Sequence, residues 1–213
     1  MKKILLTLVL GLGLLTADAQ TNLTTAVDFT VTDVHGEIYN LFSILDGGQH
    51  VILDFFFTTC GPCIASVPTL NQSFTDYGCN LGEVFYISID AGDTDAQVLQ
   101  YEYDYGGLLP AVSGIEGGGD AVNSIYNIGA YPTVVLIAPD YTILAQDIYP
   151  VTNITTTLMS AGLNMASCNL VSIDELSVET ISNCKQYDLL GRELIRVPKG
   201  IMYIRNRKLY IPR

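Results

Sequence analysis

The stretch VILDFFFTTCGPCIASVP, Val51 to Pro68, decides the fold. VILDFFF lacks the alternation of a half-exposed strand, so it reads as a central strand buried on both faces, as parallel sheets require. An acid, Asp54, interrupts it. Gly61 to Gly78 reads as a helix that closes at the glycine. Cys60 therefore falls where the strand ends and the helix begins, and Pro62 suits a first turn, where its missing N–H costs nothing. A sulfur at that point faces free backbone N–H groups and the positive end of the helix dipole. Both favour thiolate over thiol, and the thiolate is the nucleophile. Cys63, three residues on, lies on the same helix face and is expected to be the more enclosed of the two.

Asp54 is costly as an anion inside a sheet. From Gln20 to Cys184 the chain has no Lys or Arg, so no such side chain of this region can neutralise it. Desolvation should raise its pKa and leave it able to carry a proton. Cys63 needs such a group, because it must lose a proton to attack a mixed disulfide and regain it on reduction. The alternative is an acid satisfied by Thr58 or buried water. For the cysteine pair the alternatives are a structural staple and zinc. Zinc needs about four ligands, and this region offers His35 and His50, both far away, and no second C-x-x-C.

Outward from this motif, Ala26 to Leu41 reads as two short strands joined at DVHG. EVFYISID is a second buried strand, and DTDAQVLQYEYDYG a helix opened by acids and closed by Gly106. GGGDAVNSIYNIG gives a loop and short helix, PTVVLIAPDYTILAQDI a hairpin turning at APDY, and VTNITTTLMSAGL a last helix. The order is hairpin, β, α, β, α, α, β, β, α, an α/β sandwich with a mixed sheet.

LDFFFTTCGPCIASVP resembles the thioredoxins. With the leading VDFTVTDVHGEIYNL it looks most like their exported relatives of the TlpA/ResA/redoxin type. The likeness covers roughly residues 27 to 163. It implies a thioredoxin-like three-layer sandwich with an N-terminal hairpin. It also implies thiol-disulfide oxidoreductase activity with Cys60 as attacking thiol, Cys63 as resolving thiol and Asp54 as proton carrier. Pro132 in GAYPTVVLIAPD matches the family's cis-proline, which faces the cysteines and keeps metal off them. The backbone before it pairs with an extended substrate peptide. Gly61, Pro62, Tyr131 and Pro132 thus become substrate-binding candidates, the partners protein thiols or disulfides, and no cofactor or metal is called for. The chain departs from the family at Thr59, where Trp is usual, at Ile64, where a basic residue is usual, and at Tyr131, which is bulkier than usual. A peroxidase would carry P-x-x-x-[ST]-x-x-C, which is not present before Cys60. In the implied fold the helices preceding Cys79 and Cys168 end at the same end of the molecule, far from Cys60. That predicts a structural Cys79–Cys168 disulfide, with Cys168–Cys184 the runner-up.

The two ends differ from the middle. Residues 1–19 begin with Lys2 and Lys3, run through ILLTLVLGLGLL and reach a small-x-small site at Ala17–Ala19, the pattern of a signal peptide. No second apolar segment follows, so no stable membrane insertion is expected. Residues 20–168 form the thioredoxin-like domain, and residues 169–213 a small β tail. YDLLGRE, PKGIMYIR and KLYIPR in that tail resemble the C-terminal sorting domain of the type IX secretion system of Bacteroidota, without its usual opening YPNP. The resemblance implies passage through the periplasm to the surface or exterior, with the secretion machinery as partner. A small accessory β-domain or basic docking arm is the alternative.

Between Gln20 and Cys184 lie 19 Asp and Glu; after Cys184 come eight basic residues and two acids. The acidic stretch should repel nucleic acid and anionic membrane. The DAGDTD run (Asp90, Asp93, Asp95) lacks the rest of a calcium loop, and YEYDY reads as an amphipathic surface. Two other function classes fit the same residues. One is a thioredoxin-fold binding module whose cysteines do no chemistry; the other is a thiol protein of a copper or haem maturation pathway.

Overall fold

The computed structural model describes residues 21–168 and, beyond them, four short strands; the expected signal peptide and Cys184 lie outside the described residues. The chain forms two compact units, Met1–Asn169 and Leu170–Arg213.

The first unit opens with a hairpin of β1 (Thr30–Thr32) and β2 (Ile38–Asn40). Asp33 closes its turn, accepting from the backbone N–H groups of His35 (2.9 Å) and Glu37 (2.8 Å). Gly36 takes a φ of +90° there, a backbone conformation that favours glycine. A short helix α1 (Leu41–Asp46) follows, capped by Asn40, whose side chain accepts from Ser43 N. Then come β3 (His50–Phe56), α2 (Gly61–Asp76), β4 (Val84–Asp90), α3 (Asp95–Tyr105), β5 (Ala111–Val112), α4 (Gly119–Ile125), β6 (Thr133–Ile137), β7 (Ile143–Ala145) and α5 (Ile154–Ser160). A single 3₁₀ turn, Val151–Asn153, leads into α5.

The central sheet has the order β5-β4-β3-β6-β7. β3 runs parallel to β4, β4 parallel to β5, and β3 antiparallel to β6. Alternation along the strands sorts side chains to two faces. Val51, Leu53 and Phe55 of β3 join Ile87 and Ile89 of β4 and Val135 of β6 under α1, α4 and the hairpin. Ile52, Tyr86, Val134 and Leu136 pack with Leu70 of α2 and with Ile154 and Leu158 of α5 on the other face. Phe56 joins the two cysteines, Val67, Val98, Tyr101 and Ala111 at one end of that second layer. Each fully buried large aliphatic side chain contributes about 1.5–3 kcal/mol. This is the thioredoxin-like sandwich that the sequence implied.

The sequence reading omitted two elements, α1 and β5. Six and two residues long, they are too short for a periodic signal, and LFSILD at α1 has only its Asn40 cap to mark it. The second unit contains a four-stranded antiparallel sheet, β8 (Gln186–Tyr187), β9 (Glu193–Leu194), β10 (Tyr203–Arg205) and β11 (Lys208–Tyr210), in the order β11-β10-β8-β9. Among the described residues no helix is long and apolar enough to cross a membrane.

Candidate active site

Cys60 is the N-cap of α2 and has extended backbone torsions. Its sulfur is 1.97 Å from that of Cys63, so the pair is an intact disulfide. Cys63 N–H donates to Cys60 Sγ at 3.2 Å. The backbone donor that would favour an anion at this sulfur is therefore already aimed at it. The expected contrast in enclosure does not appear: both cysteines are 3% exposed. They share one apolar cluster, against which Val34, Phe57, Ile64 and Tyr131 also pack. Bulky neighbours at both ends of the motif enclose Cys60 as well as its partner. Thr59, Gly61 and Pro62 around them are exposed.

Asp54 points to the same face as Phe56, since the two are separated by two residues along β3. It is 5% exposed. Burial pushes its pKa up to about 7 against the opposing pull of a hydrogen bond from Ser88. Ser88 Oγ donates to Asp54 Oδ2 at 3.0 Å, and the two residues stand opposite each other in the parallel β3–β4 register. Thr58, the partner considered from sequence, instead gives both its donors to Asp93. Thr58 lies past the end of β3, whereas Ser88 is the cross-strand neighbour, and only register could reveal it. Asp54 opens onto a cleft also lined by Phe56, Val67, Ser88, Tyr101 and Ala111, with about 30 Å³ of space inside it. That is room for a water to relay protons.

Tyr131 precedes Pro132 across a cis peptide bond. Its ring meets Phe57 edge-on with centroids 5.4 Å apart, and its hydroxyl donates to Asn123 Oδ1 at 2.9 Å. Cys60, Cys63, Asp54 and Tyr131 thus gather at one end of the sheet. Ser88, Tyr101, Asp93 and Asn123 were not singled out as site residues. Tyr101 was legible only as part of the YEYDY run, in which it turns inward (8% exposed) while Tyr103 is 85% exposed. Among the described residues no group of His, Cys, Asp and Glu could hold a metal ion.

Cys79 and Cys168 are joined, with sulfurs 2.00 Å apart across a separation of 89 residues. Tyr77 and Ala166 form a parallel bridge beside them, and Ala166 N–H donates to Asp76 O. The chain after α5 is thereby tied to the end of α2, and Cys168 is not available to Cys184.

A family model described as the AhpC/TSA family matches residues 23–146. Among curated proteins the chain is similar to the thiol-disulfide oxidoreductase ResA of Bacillus anthracis, with 32% identity over 121 residues, 57% of this chain and 66% of that protein. It is similar also to ResA of Geobacillus kaustophilus (strain HTA426), with 30% identity over 113 residues, 53% of this chain and 61% of that protein. The matched region thus spans just under two thirds of these relatives' length. Among solved structures, the thioredoxin domain of a thiol-disulfide oxidoreductase from Bacteroides vulgatus superposes with a TM-score of 0.56 at 18% identity, covering 66% of this chain and 96% of that one. A secreted Mycobacterium tuberculosis disulfide oxidoreductase gives a TM-score of 0.51 at 18% identity, covering 62% and 95%. At such identities the structural likeness concerns the fold.

Proposed function

The chain belongs to the AhpC/TSA family, and on that premise we propose that it is a secreted thiol-disulfide oxidoreductase that exchanges disulfides with extracytoplasmic proteins through its C-G-P-C motif. One observation carries the reading: the Cys60–Cys63 disulfide sits at the N-terminus of α2. The buried Asp54 on the same face of the sheet supports it.

In the reducing direction, the dithiol form starts with the Cys60 thiolate attacking one sulfur of a substrate disulfide. The other substrate sulfur leaves as thiolate and takes a proton from solvent. Cys63 then gives its proton to Asp54 and attacks Cys60 Sγ. The Cys60–substrate bond breaks, the second substrate thiolate leaves, and the internal disulfide remains. Two electrons pass from the pair to the substrate, and the reverse sequence oxidises a substrate dithiol. An Asp54 carboxyl that titrates near 7 is matched to this work, because it can both accept and return a proton at neutral pH. Gly61, Pro62, Tyr131 and Pro132 would line the groove for an extended peptide. The N-terminal apolar run and the basic β tail support export, with the tail as a sorting signal read by the type IX machinery.

The test is reduction of insulin by the full chain with dithiothreitol as electron source. Acceleration over dithiothreitol alone is expected, abolished by Cys60→Ser and reduced at least tenfold by Asp54→Asn. A wild-type rate no greater than that of dithiothreitol would contradict the reading and favour a thioredoxin-fold binding module.

A further inference from the structure

The last residue of β4 and the loop that follows it reach both walls of the proposed groove. On one side Asp93 Oδ2 accepts two hydrogen bonds from Thr58, from its backbone N–H at 2.8 Å and its hydroxyl at 2.7 Å. Thr58 stands two residues before Cys60. The other oxygen of Asp93 accepts from Gln97 Nε2 at 3.0 Å, so the carboxylate is held from α3 as well. On the other side Asp90 O accepts from Asn123 Nδ2 at 2.9 Å. Asn123 Oδ1 in turn accepts from the Tyr131 hydroxyl at 2.9 Å, one residue before Pro132.

The loop between these contacts is itself fixed. Asp90 is fully buried, and its Oδ2 accepts from Asp93 N–H at 2.9 Å and Gly114 N–H at 3.0 Å. Ala91 N–H donates to Phe56 O at 3.0 Å, joining the ends of β4 and β3. Gly119 lies so close that a Cβ there would sit 2.4 Å from Asp90 O, so α4, which carries Asn123, packs directly on this loop. The segment before the cysteines and the segment before the cis-proline are in this way referred to one rigid bracket.

We propose that Asp93 and Asn123 are positioning residues for the exchange reaction, holding the Thr58 wall and the Tyr131 wall of the groove at a fixed separation from the end of β4 and the loop that follows it. This inference rests on the proposed oxidoreductase reading. Neither residue touches the cysteines in this account. Each acts through a neighbour, so the effect belongs to binding of a long peptide substrate rather than to sulfur chemistry. Charge is not what the contact with Thr58 needs: a neutral amide oxygen at position 93 can accept the same two bonds, and only the bond from Gln97 is lost, because its Nε2 would face the new amide nitrogen.

The full chain is assayed with insulin as substrate, and the Thr58 amide is followed by hydrogen exchange. Asp93→Ala is expected to raise KM about tenfold with kcat within about threefold, and to speed exchange of the Thr58 amide at least tenfold. Asp93→Asn is expected to restore both to within about threefold of wild type. Tyr131→Phe, which keeps the ring and removes only the bond to Asn123, is expected to raise KM about threefold. The proposal is overturned if Asp93→Ala leaves KM and Thr58 exchange at wild-type values. It is overturned also if Asp93→Asn is as impaired as Asp93→Ala, or if the loss falls on kcat with KM unchanged. A wild-type chain without activity would remove the oxidoreductase reading. Thr58 exchange in the two Asp93 variants would then decide the bracket on its own.

Discussion

At residue scale the decisive group is Asp54, an acid with a serine hydroxyl as its hydrogen-bond partner and no Lys or Arg in the surrounding sequence to pair with. Its pKa rises from 3.8 toward about 7 on folding. Below pH 4 it is protonated in both the folded and unfolded chain and has no effect on stability. Between about pH 4 and 7 the unfolded chain ionises while the folded one retains the proton, so stability falls as pH rises. Above 7 the cost is constant, on the order of a few kcal/mol. Asp54→Asn should therefore unfold at higher denaturant concentration than wild type at pH 8 and at nearly the same concentration at pH 4, while exchanging disulfides more slowly. Equal midpoints for the two proteins at pH 8 would contradict the desolvation argument. The cost of this residue and the upward direction of its pKa shift were legible in VILDFFF, because a charge among apolar neighbours has only desolvation to answer to. Its partner was not, because Ser88 meets Asp54 only through the β3–β4 register.

At the scale of elements, the local chemistry of helix ends explains both what could be read and what could not. Pro62 just inside α2 and Cys60 before it marked that helix from sequence, and the Cys60 sulfur serves as cap. Helix α3 begins with a capping box: Thr94 Oγ1 accepts from Gln97 N–H, and Gln97 Oε1 accepts from Thr94 N–H at 3.0 Å. Thr94→Ala should lower stability by about 1 kcal/mol, measured by denaturant unfolding. The β3–α2–β4 and β6–β7 segments were readable because long apolar runs and turn residues bound them. α1 and β5 were not, since an element of six residues or two depends on its neighbours more than on its own pattern. The contacts from the end of β4 and the loop after it to Asn123 and Thr58 escaped for a related reason. Asp90 and Asp93 were noticed as a possible cation loop, but their partners are 30 or more positions away in the chain.

Across the whole molecule, one polar feature and one covalent one dominate. Among the described residues His35 Nε2 and Glu102 Oε2 lie 3.0 Å apart, a contact that is ionic only when the imidazole is protonated, in a chain whose net charge is −12 with its histidines neutral. Self-repulsion is screened by salt, so the melting temperature should rise between low ionic strength and 0.5 M sodium chloride; a flat response would argue against a charge-limited fold. The Cys79–Cys168 bridge closes a loop with a separation of 89 residues, worth roughly 4 to 5 kcal/mol on the chain-entropy account. The double variant Cys79→Ser/Cys168→Ser should lose stability of that order and keep its exchange activity. That pairing could be anticipated once the fold was assumed, because both cysteines follow helices that end together. The central claim is a sulfur made reactive by its place at a helix start, and the measurement that tests it most directly is the alkylation rate of Cys60 in the reduced full chain, followed against pH with Cys63→Ser as background. A rate at pH 7 well above that of free cysteine is expected, with half-maximal reactivity below the ordinary thiol value of about 8.5. A rate and a midpoint equal to those of free cysteine would contradict it.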